Sequence, residues 1–130
     1  MFVRIMALTL TGILVLPLMV VQADSIPKDE VDASQIYHGS PAEFSSAAEV
    51  DVEAVIAATP EFQEIKKHKI DQDTGKYWIL RGQASNRALK AISDVAEETD
   101  YDLIAEMGYL GDLESPIGCD DITELVVSKI

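Results

Sequence analysis

The residues of this chain that could take part in catalysis or cation binding are few and widely spaced. Residues 73–75 (Asp-Thr-Gly) match the tripeptide of aspartic proteases, but Asp and Gln precede them instead of an apolar strand, and we interpret them as a turn. Asp71 and Asp73 also begin like a calcium-binding loop. In that loop the glycine would fall one position too early, and Gly82 stands where a glutamate is required. We reject both sites.

Neither the histidines nor the cysteine complete a site for a metal ion or for nucleophilic catalysis. His38 and His68 have no second His or Cys at metal-ligand spacing. Cys119 is the only cysteine, so its thiol is either buried or a route to a covalent dimer. Asp120 and Asp121 are expected to raise the pKa of that thiol and so to make the nucleophilic thiolate scarce. We therefore predict a protein that is not an enzyme, with no catalytic residue, no metal site and no cofactor.

The first 23 residues have the organisation of a secretory signal peptide. Arg4 gives a cationic start, residues 5–21 are almost wholly apolar, and Val21 and Ala23 form the small −3/−1 pair of a cleavage site. We predict cleavage after Ala23 and a periplasmic or secreted protein. The alternative is an uncleaved anchor, because the apolar run approaches the ~20 residues that span a bilayer. No membrane span is expected after cleavage.

Charge is distributed unevenly along an acidic chain. The sequence has 23 acidic and 10 basic side chains, which give a net charge of −13. Residues 61–90 hold seven of the basic side chains against four acidic ones, so the middle of the chain is locally cationic. The overall acidity argues against nucleic acid or anionic lipid as the main partner, because phosphates would be repelled.

The chain after the signal peptide divides into a tail and one domain. Residues 24–46 combine Pro, Ser, Gly and acidic residues without apolar periodicity, and we predict an acidic, disordered tail or linker there. The domain is expected over residues 47–130, which is long enough for one core and not for two. Val50 and Val52 alternate with acidic residues, which predicts a short strand at its start.

Two helices follow that strand and are expected to form a hairpin over about residues 60–99. Thr59 as N-cap and Pro60 at the first helical position predict the start of the first helix. Residues 71–75 break it, and a second helix is predicted over about 76–98. Its apolar stripe, at three- and four-residue spacing, comprises Tyr77, Leu80, Ala84, Ala88, Ala91, Ile92 and Val95. The alanines permit close packing, so we expect an antiparallel pair.

The last third of the chain predicts one or two strands and a closing helix. Residues 101–106 have strand character, and a partner strand is expected beyond Gly108 and Gly111. Residues 121–124 (Asp-Ile-Thr-Glu) resemble a capping box that opens a helix. The apolar face of that helix would consist of Ile122, Leu125, Val126 and Ile130. The predicted fold is α+β, with a small β body, a short helical hairpin and a C-terminal helix. Because so small a sheet has open edges, we expect an oligomer.

Three segments, in this order, resemble the Skp (OmpH-like) family of periplasmic chaperones. Residues 50–62 are similar to the family's first strand and short helix, residues 87–104 to its returning helix and the following strand, and residues 120–130 to its closing Asp-Ile-Thr helix. The resemblance covers about residues 47–130. Two departures are a hairpin whose longer helix reaches at most ~35 Å at 1.5 Å per residue and an acidic composition in place of the family's basic one.

The resemblance implies a non-enzymatic protein that binds unfolded or outer-membrane polypeptides without ATP. In that family the strands of three chains form one β body and the hairpins hold the clients, so the resemblance implies a homotrimer here. The body residues implied here are Val50, Val52, Leu103 and Ile104. The implied client-binding residues are Phe62, Ile65, Lys66, Lys69, Tyr77, Trp78, Leu80 and Arg81. Tyr77 and Trp78 are also compatible with simple packing. The alternative is an oligomeric interaction or scaffold module that has lost the holding activity.

Overall fold

Four short strands form one mixed sheet in the computed structural model, which describes residues 23–130. The strands are β1 (Ile36–Gly39), β2 (Ala47–Val50), β3 (Leu103–Glu106) and β4 (Asp120–Asp121). Their order in the sheet is β1-β3-β2-β4. β1 is antiparallel to β3, whereas β2 is parallel to both β3 and β4. The predicted signal peptide lies outside the described residues, except for Ala23.

Four helices accompany the sheet, and the predicted α+β class with a helical hairpin is confirmed. They are α1 (Val52–Ala57), α2 (Pro60–Lys67), α3 (Gly75–Glu98) and α4 (Thr123–Val127), and a short 3-10 turn covers Ala33–Gln35. Thr59 caps α2 as predicted, because its Oγ1 accepts a hydrogen bond of 3.2 Å from the backbone N–H of Phe62. Thr74 caps α3 in the same way through the N–H of Tyr77.

A backbone turn built around Lys69 ends the first arm of the hairpin. Lys69 has a positive φ of 49°. The N–H of Ile70 bonds to the carbonyl of Ile65 at 3.0 Å, and the N–H of Lys69 to the carbonyl of Lys66 at 3.3 Å. This pair of bonds is the Schellman motif, in which the left-handed position is usually glycine. A lysine therefore holds a conformation that disfavours a side chain.

One face of the sheet is covered by the helices. The apolar stripe predicted on α3 is buried, apart from Tyr77, which is half-buried. It packs on the strands and on the neighbouring short helices through Val50, Val55, Ile104 and Val126, each of which is fully buried. The alanines of α3 let these partners approach closely, and this layer is the main core.

The opposite face is covered by the segment that we predicted to be disordered, and that prediction is wrong. Ile26 and Phe44 are buried in a second core with Leu103 and Leu110. β1 also lies within this segment and pairs with β3. Burial of these apolar side chains offsets the entropy lost on ordering the segment. The fold therefore begins near residue 24 and not at 47.

Asp102 fixes the end of this N-terminal segment to the sheet. Its Oδ2 accepts a hydrogen bond of 2.8 Å from the N–H of Ser45, and its Oδ1 accepts one of 2.8 Å from the N–H of Ser46. Despite partial burial, these bonds hold the pKa of Asp102 below its usual value. At Gly39, where φ is +90°, a Cβ would lie 1.9 Å from the carbonyl oxygen of Asp102. Only glycine permits this approach of β1 to β3.

The oligomer was expected because a small sheet has open edges, and the structure shows how the faces and one edge of the sheet are covered. Each face of the sheet is buried by residues of the same chain. The edge strand β4 has only two residues, both acidic and exposed, and short charged edges resist strand addition. Neither the two faces nor the β4 edge therefore requires self-association, and among the described residues the remaining open edge is β1.

Four smaller predictions need correction. Val52 lies in α1 and not in a strand, because Asp51 caps that helix by accepting a hydrogen bond from the N–H of Ala54. The partner strand expected for β3 pairs with β2 instead. In the closing helix Leu125 is exposed, while Ile122 and Val126 are buried. The capping residue is Ile122 in place of Asp121, whose carboxylate accepts from the N–H of Thr123 just outside the helix.

Candidate functional site

The outer side of α3 carries the largest exposed apolar side chains of the hairpin. Trp78 is 61% exposed, Ile79 64% and Leu89 43%. Apolar side chains this exposed on one helix can bind an apolar partner surface. This surface lies in the stretch of chain that carries the excess of lysine and arginine.

Trp78 is oriented by two contacts that leave much of its ring free. Its indole Nε1 donates a hydrogen bond of 2.8 Å to the carbonyl of Gln72. The ring meets Tyr77 edge to face, with 5.1 Å between centroids and 82° between planes. The polar edge of the indole is therefore satisfied within the chain. A fixed aromatic ring with its polar edge satisfied is a suitable anchor for an apolar ligand group.

A groove of about 400 Å³ runs beside Trp78 between α3 and α1. One wall is α3, the other is α1, and Tyr37 of β1 contributes to the lining. The lining residues are Tyr37, Val52, Glu53, Ile56, Trp78, Arg81, Gly82, Ser85 and Leu89. Apolar walls with a few polar groups are typical of sites for peptides and small molecules.

An ion pair and two cation–π contacts lie beside the groove. Arg81 of α3 binds the carboxylate of Glu53 on α1. The guanidinium carbon also lies 5.8 Å from the ring centroid of Phe62, and Nζ of Lys66 lies 5.9 Å from the same centroid. Phe62 is half-buried beside these two cations, and its contact with Arg81 helps to fix the position of that side chain in the groove.

The residues predicted to bind clients separate into an exposed and a buried set. Trp78, Lys66 and Lys69 are exposed, and Phe62, Tyr77 and Arg81 are partly exposed. Ile65 and Leu80 are only 6% and 9% exposed. These two side chains pack inside the fold and are not available to a partner. The client-binding surface on the hairpin is thus smaller than the sequence predicted.

The residues predicted for an oligomer body are not on the surface of the sheet. Val50, Leu103 and Ile104 are fully buried within the chain's own core. Val52 lines the groove instead. Residues that the sequence analysis missed, among them Leu89 and Ile56, complete that groove. A signal for Leu89 was present, because it lies eleven residues after Trp78 and hence on the same face of a helix.

A hydrogen bond between Tyr37 and Glu106 closes the groove toward the sheet. The phenol of Tyr37 donates to Oε2 of Glu106 at 2.5 Å, and the same oxygen accepts a weaker bond of 3.4 Å from the N–H of Val52. Burial and the neighbouring carboxylate raise the pKa of Tyr37 far above its usual value. The phenol therefore stays neutral and serves as a fixed donor.

The groups considered for catalysis lie apart from this groove. Cys119 is half-buried, and burial, a hydrogen bond with Glu49 and nearby acidic residues raise its pKa to about 11. The thiol is thus protonated near neutral pH, which makes it a poor nucleophile. His38 and His68 are exposed on different elements. Within residues 23–130, no group of three or more His, Cys, Asp or Glu side chains is arranged to hold a metal ion.

We compared the chain with known protein families, curated proteins and solved structures. No family model, no curated protein and no solved structure matches the chain. In the part of the chain that the structure describes, none of the helices has the length and hydropathy needed to cross a bilayer.

Proposed function

We propose that this protein is a small, non-enzymatic, chaperone-like protein of the Skp (OmpH-like) type that binds unfolded polypeptides, including outer-membrane proteins, without ATP. The observation that carries the proposal is the exposure of Trp78, Ile79 and Leu89 on α3, together with the groove between α3 and α1 that Trp78 and Leu89 line. Such a surface holds apolar segments by burial alone and needs no nucleotide.

The charge of the hairpin supports an acidic or mixed client. Lys66 and Lys67 end α2, Lys69 lies in the turn that follows, Lys76 lies in the first turn of α3, and all four are exposed. Opposite charge speeds encounter with an acidic chain, while apolar contact sets how long the complex lasts. The order of strand, helical hairpin, strand and closing helix also agrees with the resemblance seen in the sequence.

Suppression of aggregation tests this proposal. An unfolded outer-membrane protein is diluted from urea with and without residues 24–130, which contain every described element, and light scattering is followed. The test variant replaces the three hairpin residues by serine (Trp78→Ser, Ile79→Ser, Leu89→Ser). The matched control replaces three exposed apolar residues elsewhere (Val31→Ser, Met107→Ser, Leu125→Ser). We expect suppression by the wild type and the control, with loss in the test variant.

A periplasmic or secreted location is part of the proposal. It is supported by the cationic, apolar and small-residue regions of residues 1–23. The intact mass of the protein purified from the periplasm or medium should correspond to a chain beginning at Asp24. A chain that keeps residues 1–23 and stays with the membrane would require a tethered form of the same fold.

A second candidate is an interaction or scaffold module without holding activity. The burial of Ile65 and Leu80 favours it, because it leaves fewer apolar side chains for a client. The two candidates separate in the same assay. A scaffold would leave aggregation unchanged even at excess, yet would bind one folded partner through the groove.

A further inference from the structure

The backbone nitrogen of Asp24 is held in a fixed position by the second core. It donates a hydrogen bond of 2.6 Å to the carbonyl of Phe44, and the N–H of Phe44 donates one of 2.9 Å to the carbonyl of Asp24. Two residues further along, the N–H of Ile26 bonds to the carbonyl of Pro41 at 2.7 Å. The side chains of Ile26 and Phe44 are only 3% and 2% exposed. Because both of these residues are anchored by burial, the nitrogen of Asp24 has a defined place on the surface.

An open pocket of about 470 Å³ adjoins this nitrogen, and its charged lining groups are both carboxylates. Ala23, whose carbonyl carbon is bonded to the nitrogen of Asp24, is part of the lining. The other lining residues are Ser40, Glu43, Phe44, Ser45 and Asp102. An ionised carboxylate accepts hydrogen bonds and donates none, so the pocket carries negative charge beside a backbone N–H.

The two carboxylates have no cationic partner in the part of the chain that the structure describes. None of the ion pairs within residues 23–130 involves Glu43 or Asp102. Oδ1 of Asp102 accepts a hydrogen bond from the N–H of Ser46, and its other lone pair remains open to a further donor. The pocket is therefore complementary to a small cation that has several N–H groups.

We propose that this pocket binds the chain's own amino terminus once residues 1–23 have been removed. Hydrolysis of the Ala23–Asp24 bond by a signal peptidase consumes one water molecule. Ala23 leaves with a carboxylate, while the nitrogen of Asp24 keeps the electron pair of the broken bond and becomes a primary amine. At neutral pH most of this amine takes up a proton, because its usual pKa is ~7.7–8.0. One N–H of the ammonium keeps the bond to Phe44, and the other two are available to Glu43 and Asp102.

Opposite charge favours the protonated form of the new amino group. Glu43 and Asp102 are the ionisable side chains that line the pocket, and Asp24 itself carries a third carboxylate. Because the pocket is open to solvent, we expect these charges to raise the pKa of the α-amino group by about one unit. The folded pKa is then above the unfolded one. The resulting gain in stability is complete below pH ~7.7 and is lost as the pH rises through the folded pKa.

This inference rests on the cleavage proposed after Ala23 and is independent of client binding. It gives the removal of residues 1–23 a consequence for the fold, since the cleaved chain gains a charged contact at its first residue. The two ideas fail differently. A natural protein whose mass does not correspond to a start at Asp24 would contradict the cleavage, whereas chains made with defined starts test the pocket directly.

Two chains that differ only in their start provide that test. One begins at Asp24, and the other keeps Gln22 and Ala23, so that its ammonium lies two residues away from the nitrogen of Asp24. Both are released from a removable fusion partner, and urea denaturation is followed at about pH 6.5 and at about pH 10, on either side of the expected pKa. At the lower pH we expect the folding equilibrium constant to be about tenfold larger for the chain that begins at Asp24, which is the equivalent of one pKa unit. At the higher pH the two constants should converge.

Glu43→Gln identifies the pocket as the source of this difference, because it removes a charge with little change in size. Asp29→Asn is the matched control, since Asp29 is an exposed acidic residue of the same segment and lies outside the pocket lining. We expect E43Q to reduce the ratio of the two folding constants by at least about threefold and D29N to leave it unchanged. Equal folding constants of the two wild-type chains at the lower pH would overturn the proposal. A ratio that persists at the higher pH, or that E43Q leaves unchanged, would overturn it as well.

Discussion

Nη2 of Arg81 donates hydrogen bonds of 2.9 Å to both carboxylate oxygens of Glu53, and this contact joins α3 to α1 beside the groove. The same guanidinium lies over the ring of Phe62. The charge of Arg81 is therefore engaged within the chain, and its main contribution is to hold one wall of the groove in place. A client would gain little from an ion pair with this residue.

Replacing Arg81 by alanine should lower the free energy of unfolding by about 1 kcal/mol, since partly exposed ion pairs and cation–π contacts each contribute up to roughly that much. Urea denaturation measures the change. Lys90→Ala is the control, because within residues 23–130 Lys90 pairs with Asp94 alone, on the solvent side of the same helix, at 3.5 Å. Equal losses in the two variants would contradict a special role for Arg81.

Phe44→Ala should destabilise the protein by about 3–5 kcal/mol, the usual range for a buried phenylalanine. Phe44 is 2% exposed and lies in the segment that composition alone marks as disordered. Val31→Ala in the same segment is the control, because Val31 is exposed and should change stability by less than about 0.5 kcal/mol. If deleting residues 24–46 left a cooperative thermal transition at the same temperature, the second core described here would be wrong.

Lys69→Gly should raise the free energy of unfolding by about 1 kcal/mol, because glycine adopts the left-handed conformation without steric cost. Lys69 holds a φ of 49° at the end of α2. Lys67→Gly removes the same charge from within the helix and should instead lower stability, by up to about 1 kcal/mol. Thermal denaturation of the pair gives the comparison. A loss of stability in both variants would contradict the Schellman geometry.

Cys119 should react slowly with iodoacetamide at pH 7 and faster as the pH rises toward its pKa of about 11. The shift also has a consequence for stability. The pKa of Cys119 is higher in the folded than in the unfolded protein, so folding favours the protonated thiol. The contribution of this thiol to stability is complete below pH ~8.5 and is lost as the pH rises through the folded pKa. Cys119→Ser should therefore reduce the alkaline loss of stability. Rapid labelling of the folded protein at pH 7 would contradict the half-buried, acid-flanked thiol.

The elements that the sequence predicted well are those specified by local signals. Thr59 and Pro60 mark the start of α2, and the periodic alanines of α3 mark its buried stripe; both signals lie within a few residues of what they determine. The start of α1 had a local signal too, because Asp51 is an N-cap residue. The apparent alternation of Val50 and Val52 favoured a strand there instead.

The parts that were missed depend on contacts between distant residues. The burial of Phe44 requires Leu103 and Leu110, and the anchoring of Ser45 requires Asp102, which is 57 residues away. The sequence of residues 24–46 has no apolar periodicity that would predict these contacts. For the same reason, a stripe that is apolar by sequence does not reveal which side chains a neighbouring helix will cover. Leu80 is covered by neighbouring parts of the fold, while Leu89 is exposed to the groove.

Fluorescence of Trp78 is the most direct test of the central claim that the hairpin groove binds unfolded polypeptide. Trp78 is the only tryptophan and is 61% exposed, so its emission reports on occupancy of this surface alone. A tryptophan-free unfolded outer-membrane polypeptide is titrated into the wild-type protein of residues 24–130. We expect a saturable shift of the emission to shorter wavelength that is absent with a folded control protein. An unchanged spectrum at client excess, with binding detected by another method, would contradict it.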